Sequence, residues 1–329
     1  MKPLRTEVTA VTFVLVWSSG YVMGALATQV IPPLAFTLWR FGVAAVVLAT
    51  IARVRGERRP HGRQLVAVAA TGIPLFAIQF GALYTAMADG MPAPTTALIA
   101  CSSPLVVAVI GVCARWERLR PVQWVGIGLG VIGVAVTLAD RVGRPPNATA
   151  LAWALLGLAG LAAGTALQAR LKPTAGPASI AATELTVAFV VLAVWAPLRG
   201  SLAIPLTVHA LGTFAWVALV AGVGAPLLLF ALIRQRGATR ASSFLFAVPA
   251  VTALAAWPIL GTPPGPLTVA GLAIVATALW LARARVPGNS PDDAAGTGQI
   301  RNTPAGSQYM VDVAGRTGDG NGHRLPAHG

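Results

Sequence analysis

Residues 93–121 read APTTALIACSSPLVVAVIGVCARWERLRP, and residues 238–266 read ATRASSFLFAVPAVTALAAWPILGTPPGP. Superposed with a shift of about 145 residues, Pro104 meets Pro249, Ala93 meets Ala238, Ala108 meets Ala253 and Pro121 meets Pro266. The match runs without gaps from Gly81–Gly133 onto Pro226–Ala278, bringing Ala86 onto Ala231 and Gly126 onto Gly271. A near-identical shift pairs Gly20 with Gly164 and Arg40 with Glu184, so the second half of the chain lies over the first. The connections differ systematically. Glu117–Arg118–Leu119–Arg120 becomes Thr262–Pro263–Pro264–Gly265, and Asp89–Thr95, which carries no positive charge, becomes Arg234–Arg240, which carries three arginines.

The repeated runs are long and apolar. Of the 329 residues, 56% are hydrophobic and 10% charged, where a soluble chain carries roughly a quarter charged. Runs near the roughly 20 residues that cross a hydrocarbon layer as helix fall at Val8–Thr28, Leu34–Ala52, Leu65–Tyr84, Ala93–Cys113 and Pro121–Ala139. The second half repeats them at Ala150–Ala169, Pro177–Leu198, Val208–Ile233, Ala241–Leu260 and Leu267–Ala282. They lack the alternation of a barrel strand, and lipid requires each segment to satisfy its own backbone. The expectation is an all-α integral membrane protein of ten transmembrane helices. The first run is too long for the apolar core of a signal peptide and is read as the first span.

Orientation follows from the Lys and Arg retained on the cytoplasmic side. Lys2, Arg5, Arg53, Arg55, Arg58, Arg59, Arg63, Arg115, Arg118 and Arg120 mark one side in the first half. Arg170, Lys172, Arg234, Arg236, Arg240, Arg283 and Arg285 continue it, against Arg141, Arg144 and Arg199 opposite. Both termini are therefore expected in the cytoplasm, with the protein multi-pass in the inner membrane. Each half holds an odd number of spans, so the two copies cross in opposite directions. Residues 1–148 and 149–285 form two inverted five-helix repeats on this reading, and the polar stretch 286–329 forms a disordered cytoplasmic tail. Inverted repeats are the architecture of secondary transporters, in which exchange of conformation between the halves alternates access.

Particular residues carry a family likeness. Val16–Trp17–Ser18–Ser19–Gly20–Tyr21 opens the first span, and Leu38–Trp39–Arg40–Phe41 lies in the second. Ala82–Leu83–Tyr84–Thr85–Ala86 and Ser102–Ser103–Pro104–Leu105 follow, closed by Trp116–Glu117–Arg118 and Gly126. In these the chain resembles the drug/metabolite transporter superfamily, specifically its EamA-type ten-span members, over about Val8 to Ala282. The resemblance implies a ten-helix bundle with a central cavity between halves. It also implies a substrate among amino acids, drugs, sugars, phosphorylated sugars and nucleotide sugars. Second-half members often repeat the Glu after the fourth span, where this chain has Thr262.

Arg40 and Glu184 are the charged residues deep within spans, and such groups cost free energy unless they face a cavity or find partners. Arg40 can instead snorkel outward. Glu184, with a shorter side chain, is a candidate for proton coupling. Inversion puts the two at different depths, so separate roles are expected, with Arg40 attracting an anionic substrate group and Glu184 serving the cavity or a proton. Trp17 and Tyr21, four residues apart, share a helix face and could line the cavity, while plain packing is the simpler account of Trp17. Gln79, Tyr84, Ser102, Ser103, Thr165 and Gln168 are further polar candidates, and the glutamines the better ones, because a buried amide must satisfy donors and acceptor together. Pro104 and Pro249, read as mid-span, are hinge candidates, static bending being the equally simple account.

The function expected is a permease or exporter of small metabolites such as amino acids or drugs. The partners expected are a small-molecule substrate and the lipid bilayer, with a homodimer left open. Cys101 and Cys113 offer no zinc spacing, and no metal or cofactor is expected. The net charge of +14 lies in short gaps rather than on a folded basic surface, which argues against nucleic acid. A transmembrane enzyme would need a nucleophile with its base, a metal cluster or a carboxylate pair within the spans, and none is visible. A channel or a sensory scaffold is the alternative function.

Overall fold

The computed structural model describes residues 2–114, 121–139, 147–171, 174–236 and 244–283, which contain helices and connections and no strand. Among the described residues, eight helices are long and apolar enough to cross a membrane. They are α1 (Glu7–Ala27), α2 (Pro33–Val54), α3 (Gly62–Ala88), α4 (Ala93–Cys113), α5 (Pro121–Ala139), α6 (Ala148–Gln168), α7 (Pro177–Leu198) and α8 (Val208–Leu229). Two shorter apolar helices follow, α9 (Val248–Leu260) and α10 (Pro266–Ala278). The expected connections at 115–120, 140–146 and 237–243, and the tail 286–329, lie outside the described residues.

Proline and glycine set the helix limits. Pro33 and Pro177 stand in the first turns of α2 and α7, where a backbone N–H has no partner to lose. Gly261 ends α9 in the left-handed region at φ 66°, its N–H returning to the Trp257 carbonyl at 3.0 Å. Large apolar side chains such as Val11, Val46, Val66, Val131 and Val194 remain exposed on the bundle's outside. Water would not tolerate so wide an apolar surface on a monomer, whereas lipid does.

Small residues let the helices approach. A Cβ on Gly133 of α5 would meet the Gly271 carbonyl of α10 at 2.9 Å, so these two helices touch backbone to backbone. Gly157, Gly160 and Gly164 form a seam on α6 that receives Leu83, Pro74 and Leu75 of α3. The α2–α7 pair is clasped by Phe189, which lies over Gly42 and has its ring 6.3 Å from that of Trp39. Further along, the Ser179 N–H of α7 donates to Glu57 Oε2, just beyond α2, at 3.0 Å. Rising numbers on α2 thus meet falling numbers on α7, and the two helices run antiparallel. Helix α1 packs on α8 and α9, while α6 packs on α3 and α4.

Two expectations of local shape change. Pro104 was expected to bend the middle of a helix, but α4 breaks at Ser102 and a new helical segment starts at Ser103, placing Pro104 in its first turn. Pro249 likewise stands in the first turn of α9, after a tight turn at Phe244–Ala247. Both prolines begin a segment because there the missing N–H costs little. Further departures from α geometry are the π-helical stretches at Ile73–Ile78 of α3 and Trp216–Gly224 of α8. Pro226 follows the second closely, and its ring, which displaces the carbonyl one turn back, accounts for that widened turn; Pro74 opens the first.

Candidate substrate site

The first polar centre is built by α2 and α3. Arg40 lies in α2 with only 6% of its surface exposed, and its Nη1 donates to Tyr84 Oη at 2.5 Å. Its guanidinium carbon sits 4.5 Å from the Phe80 ring centre, 4.9 Å from that of Phe41 and 5.2 Å from that of Tyr84. Each ring face attracts the cation, by about 0.5–2 kcal/mol according to desolvation. Phe76 and Phe80 stack at 6.3 Å, and Phe80 and Tyr84 at 6.1 Å, so α3 presents a ladder of rings to Arg40. None of these rings is an anion. Among the described residues no carboxylate pairs with Arg40, and its remaining N–H donors have no protein partner. Gln79, one residue before Phe80, is buried with no described partner for its amide.

The second centre joins α3, α6 and α7. Glu184, 2% exposed, accepts from Thr71 Oγ1 at 2.6 Å and from Gln168 Nε2 at 2.9 Å. Both bonds end on Oε1. The close approach is set by Gly72, whose absent side chain admits the Glu184 backbone. Arg40 and Glu184 make no contact with each other. Phe189 sits beside Trp39 and Gly42, and Glu184 precedes Phe189 by five residues of α7, which is about 7 Å of helix rise.

The structure therefore brings together Arg40 with Tyr84 and, separately, Glu184 with Gln168. Tyr21 packs near Tyr84 in an apolar cluster of Phe36, Met87 and Val217. Trp17 packs with Phe13, their rings 5.4 Å apart, and with Val14 and Leu232. Ser102 is turned back on its own helix, its Oγ donating to the Leu98 carbonyl at 3.0 Å; Thr165 does the same to Leu161 at 2.7 Å. Sequence reasoning missed Thr71, Phe41, Phe76 and Phe80. A threonine beside the Gly72–Pro74 interruption was a legible hint, whereas the phenylalanines looked like any other apolar side chains.

With this geometry in place, comparison with known proteins adds the following. A family model described as the EamA-like transporter family matches the chain twice, at residues 4–139 and 148–284. The chain is 26% identical over 249 residues to an uncharacterized inner membrane transporter, YedA, of Escherichia coli (strain K12), covering 73% of this chain and 78% of that protein. It is 26% identical over 302 residues to a probable terminal-alkyne amino-acid exporter of Streptantibioticus cattleyicolor, covering 88% of this chain and 96% of that one. It is 28% identical over 138 residues to a probable amino-acid metabolite efflux pump of Escherichia coli (strain K12), covering 42% and 44%. A solved crystal structure with 18% identity superposes with a TM-score of 0.59, covering 85% of this chain and 96% of that one, which supports the fold. On the strength of two matches that together span most of its length, this chain belongs to the EamA-like transporter family.

Proposed function

We propose that this protein is a secondary carrier of the inner membrane for small metabolites bearing an anionic group, and that it works by alternating access between residues 1–148 and 149–285. The carrying observation is Arg40. A guanidinium deep in a membrane helix, held by one phenol and three ring faces without a carboxylate partner among the described residues, has donors to spare for an anion. Tyr84, Phe80 and Phe41 make the first contacts, with Tyr21 packed near Tyr84. Relatives whose names refer to amino acids make the amino-acid carboxylate the first anion to try.

The packing supports the inverted repeat. Exchanging the halves turns the α1–α8 contact into α6–α3, α1–α9 into α6–α4 and α2–α8 into α7–α3, and all six are present. The pairs α2–α7, α4–α9 and α5–α10 map onto themselves. The π-helical stretches of α3 and α8 fall at matching positions under the same shift, and α2 runs against α7 as inversion requires. The breaks beside Pro104 and Pro249 also correspond, and serve as joints about which the α4–α9 pair rearranges. Membrane orientation follows the arginines, with both termini and the tail in the cytoplasm.

The test is counterflow. Proteoliposomes holding the purified full chain are preloaded with a mixture of neutral L-amino acids and given a labelled trace of each. Saturable accumulation supports a carrier, and linear, non-saturating flux of every solute points to a channel instead.

A further inference from the structure

We propose that Glu184 Oε2 is the binding site of the coupling ion, and that this ion is a proton. The inference rests on the carrier reading above and adds to it what drives the cycle. Both hydrogen bonds to the carboxylate end on Oε1, leaving Oε2 of a 2%-exposed side chain without a described partner. The two neighbours on Oε1 are an O–H and an N–H, both donors that hold the ionised form, so Oε2 is the atom left to take a cation. A sodium or calcium ion would need several converging oxygens, and the described residues hold no acidic or metal-ligating cluster.

The charged groups of the surrounding helices lie elsewhere. On α2, Arg40 is bonded to Tyr84, and Arg53 is exposed at the last turn. On α3, Arg63 is exposed in the first turn, while α6 carries no charged residue between Ala148 and Gln168 and Arg170, two residues further along the same helix, is exposed. Glu184 is itself the sole charged residue of Pro177–Leu198. Nothing on these elements offers Glu184 a permanent countercharge, so a proton is the cation available to neutralise it.

Thr71 carries the consequence. Its Oγ1 lies 2.6 Å from Glu184 Oε1 and 2.7 Å from the Val68 carbonyl oxygen, yet a hydroxyl has one proton to give. It turns toward Glu184 when the carboxylate is ionised. A proton on Oε2 weakens Oε1 as an acceptor, and the hydroxyl returns to Val68. The α3–α7 grip at Gly72 then loosens one residue before the π-helical stretch that leads to Gln79, Phe80 and Tyr84. Proton binding at Glu184 thereby reaches the Arg40 centre through a single helix.

Infrared difference spectra between acid and alkaline pH, taken on the full chain in lipid with no solute, test the site itself. A protonated-carboxyl band is expected in the wild type and lost in Glu184→Gln. Gln168→Leu, which removes the bond to Oε1 that the protonated state keeps, should move that band to higher frequency, a readout that survives even if Glu184→Gln folds poorly. Thr71→Val, whose hydroxyl has already returned to Val68 when the band is present, should leave its frequency in place. A band unchanged in both Glu184→Gln and Gln168→Leu overturns the proposal. A second arm applies a pH gradient to proteoliposomes during amino-acid counterflow. Wild-type accumulation should follow the gradient, and Glu184→Gln should exchange solute without responding to it. Wild-type counterflow indifferent to the gradient overturns the coupling while leaving the carrier reading intact; no counterflow at all rejects the carrier reading, and the infrared arm still decides the proton site.

Discussion

The ring of Tyr84 occupies the place a side chain on Gly24 would need: a Cβ built on Gly24 overlaps Tyr84 Cε1. The phenol that holds Arg40 is thus seated by the absence of a side chain on α1. Gly24→Ala should push the ring aside and weaken solute binding more than it weakens folding. Half-saturating solute concentration, measured by counterflow, is expected to rise while the thermal midpoint in detergent moves little. A collapse in stability with affinity retained would assign Gly24 to packing alone.

Tyr84→Phe isolates the hydrogen bond from the ring. Bonds to charged groups contribute about 1.5–3 kcal/mol, and the ring face against the guanidinium is kept. Apparent affinity should change by roughly tenfold or more, in a protein that still inserts. The rest of the Arg40 cage stays in place, so circular dichroism should be unaltered.

Gly133 and Gly271 bring α5 and α10 into backbone contact. Leucine at either position forces the helices apart and leaves their small-residue seam unfilled. Yield of folded protein and thermal midpoint should both fall, with Gly133→Ala milder than Gly133→Leu. Unchanged stability in Gly271→Leu would mean the contact contributes nothing.

Topology is tested with single cysteines after replacing Cys101 and Cys113, since Cys113 is exposed. Cysteines at Gly90 and Thr262 should react with an impermeant thiol reagent in intact cells, and one at Arg118 should not. Labelling at Arg118 with silence at Thr262 would invert the orientation.

Much of the architecture is legible in the chain, because lipid enforces long apolar helices and proline marks their starts. Pro33, Pro121, Pro177 and Pro266 each open a helix close to where the apolar run begins. The interior was less legible. Arg40 and Glu184 stand out because charge within lipid is costly, and their partners Tyr84 and Gln168 stand out as polar residues of the spans, but Thr71 does not, and the Phe80 ring faces a cation only once α3 has folded. The π-helical stretches were invisible too, since no periodicity in the chain marks them. Ser102, a polar residue that looked available, donates to its own helix.

The most direct measurement sets an amino acid against its carboxamide as competitors for counterflow, in the wild type and in Arg40→Gln. If Arg40 holds the anionic group, the wild type prefers the acid by at least roughly tenfold, the order of a charge-assisted hydrogen bond. Arg40→Gln should then lose that preference while still catalysing residual exchange. An unaltered preference for the acid in Arg40→Gln would show that the substrate's charge is read elsewhere and would contradict the account.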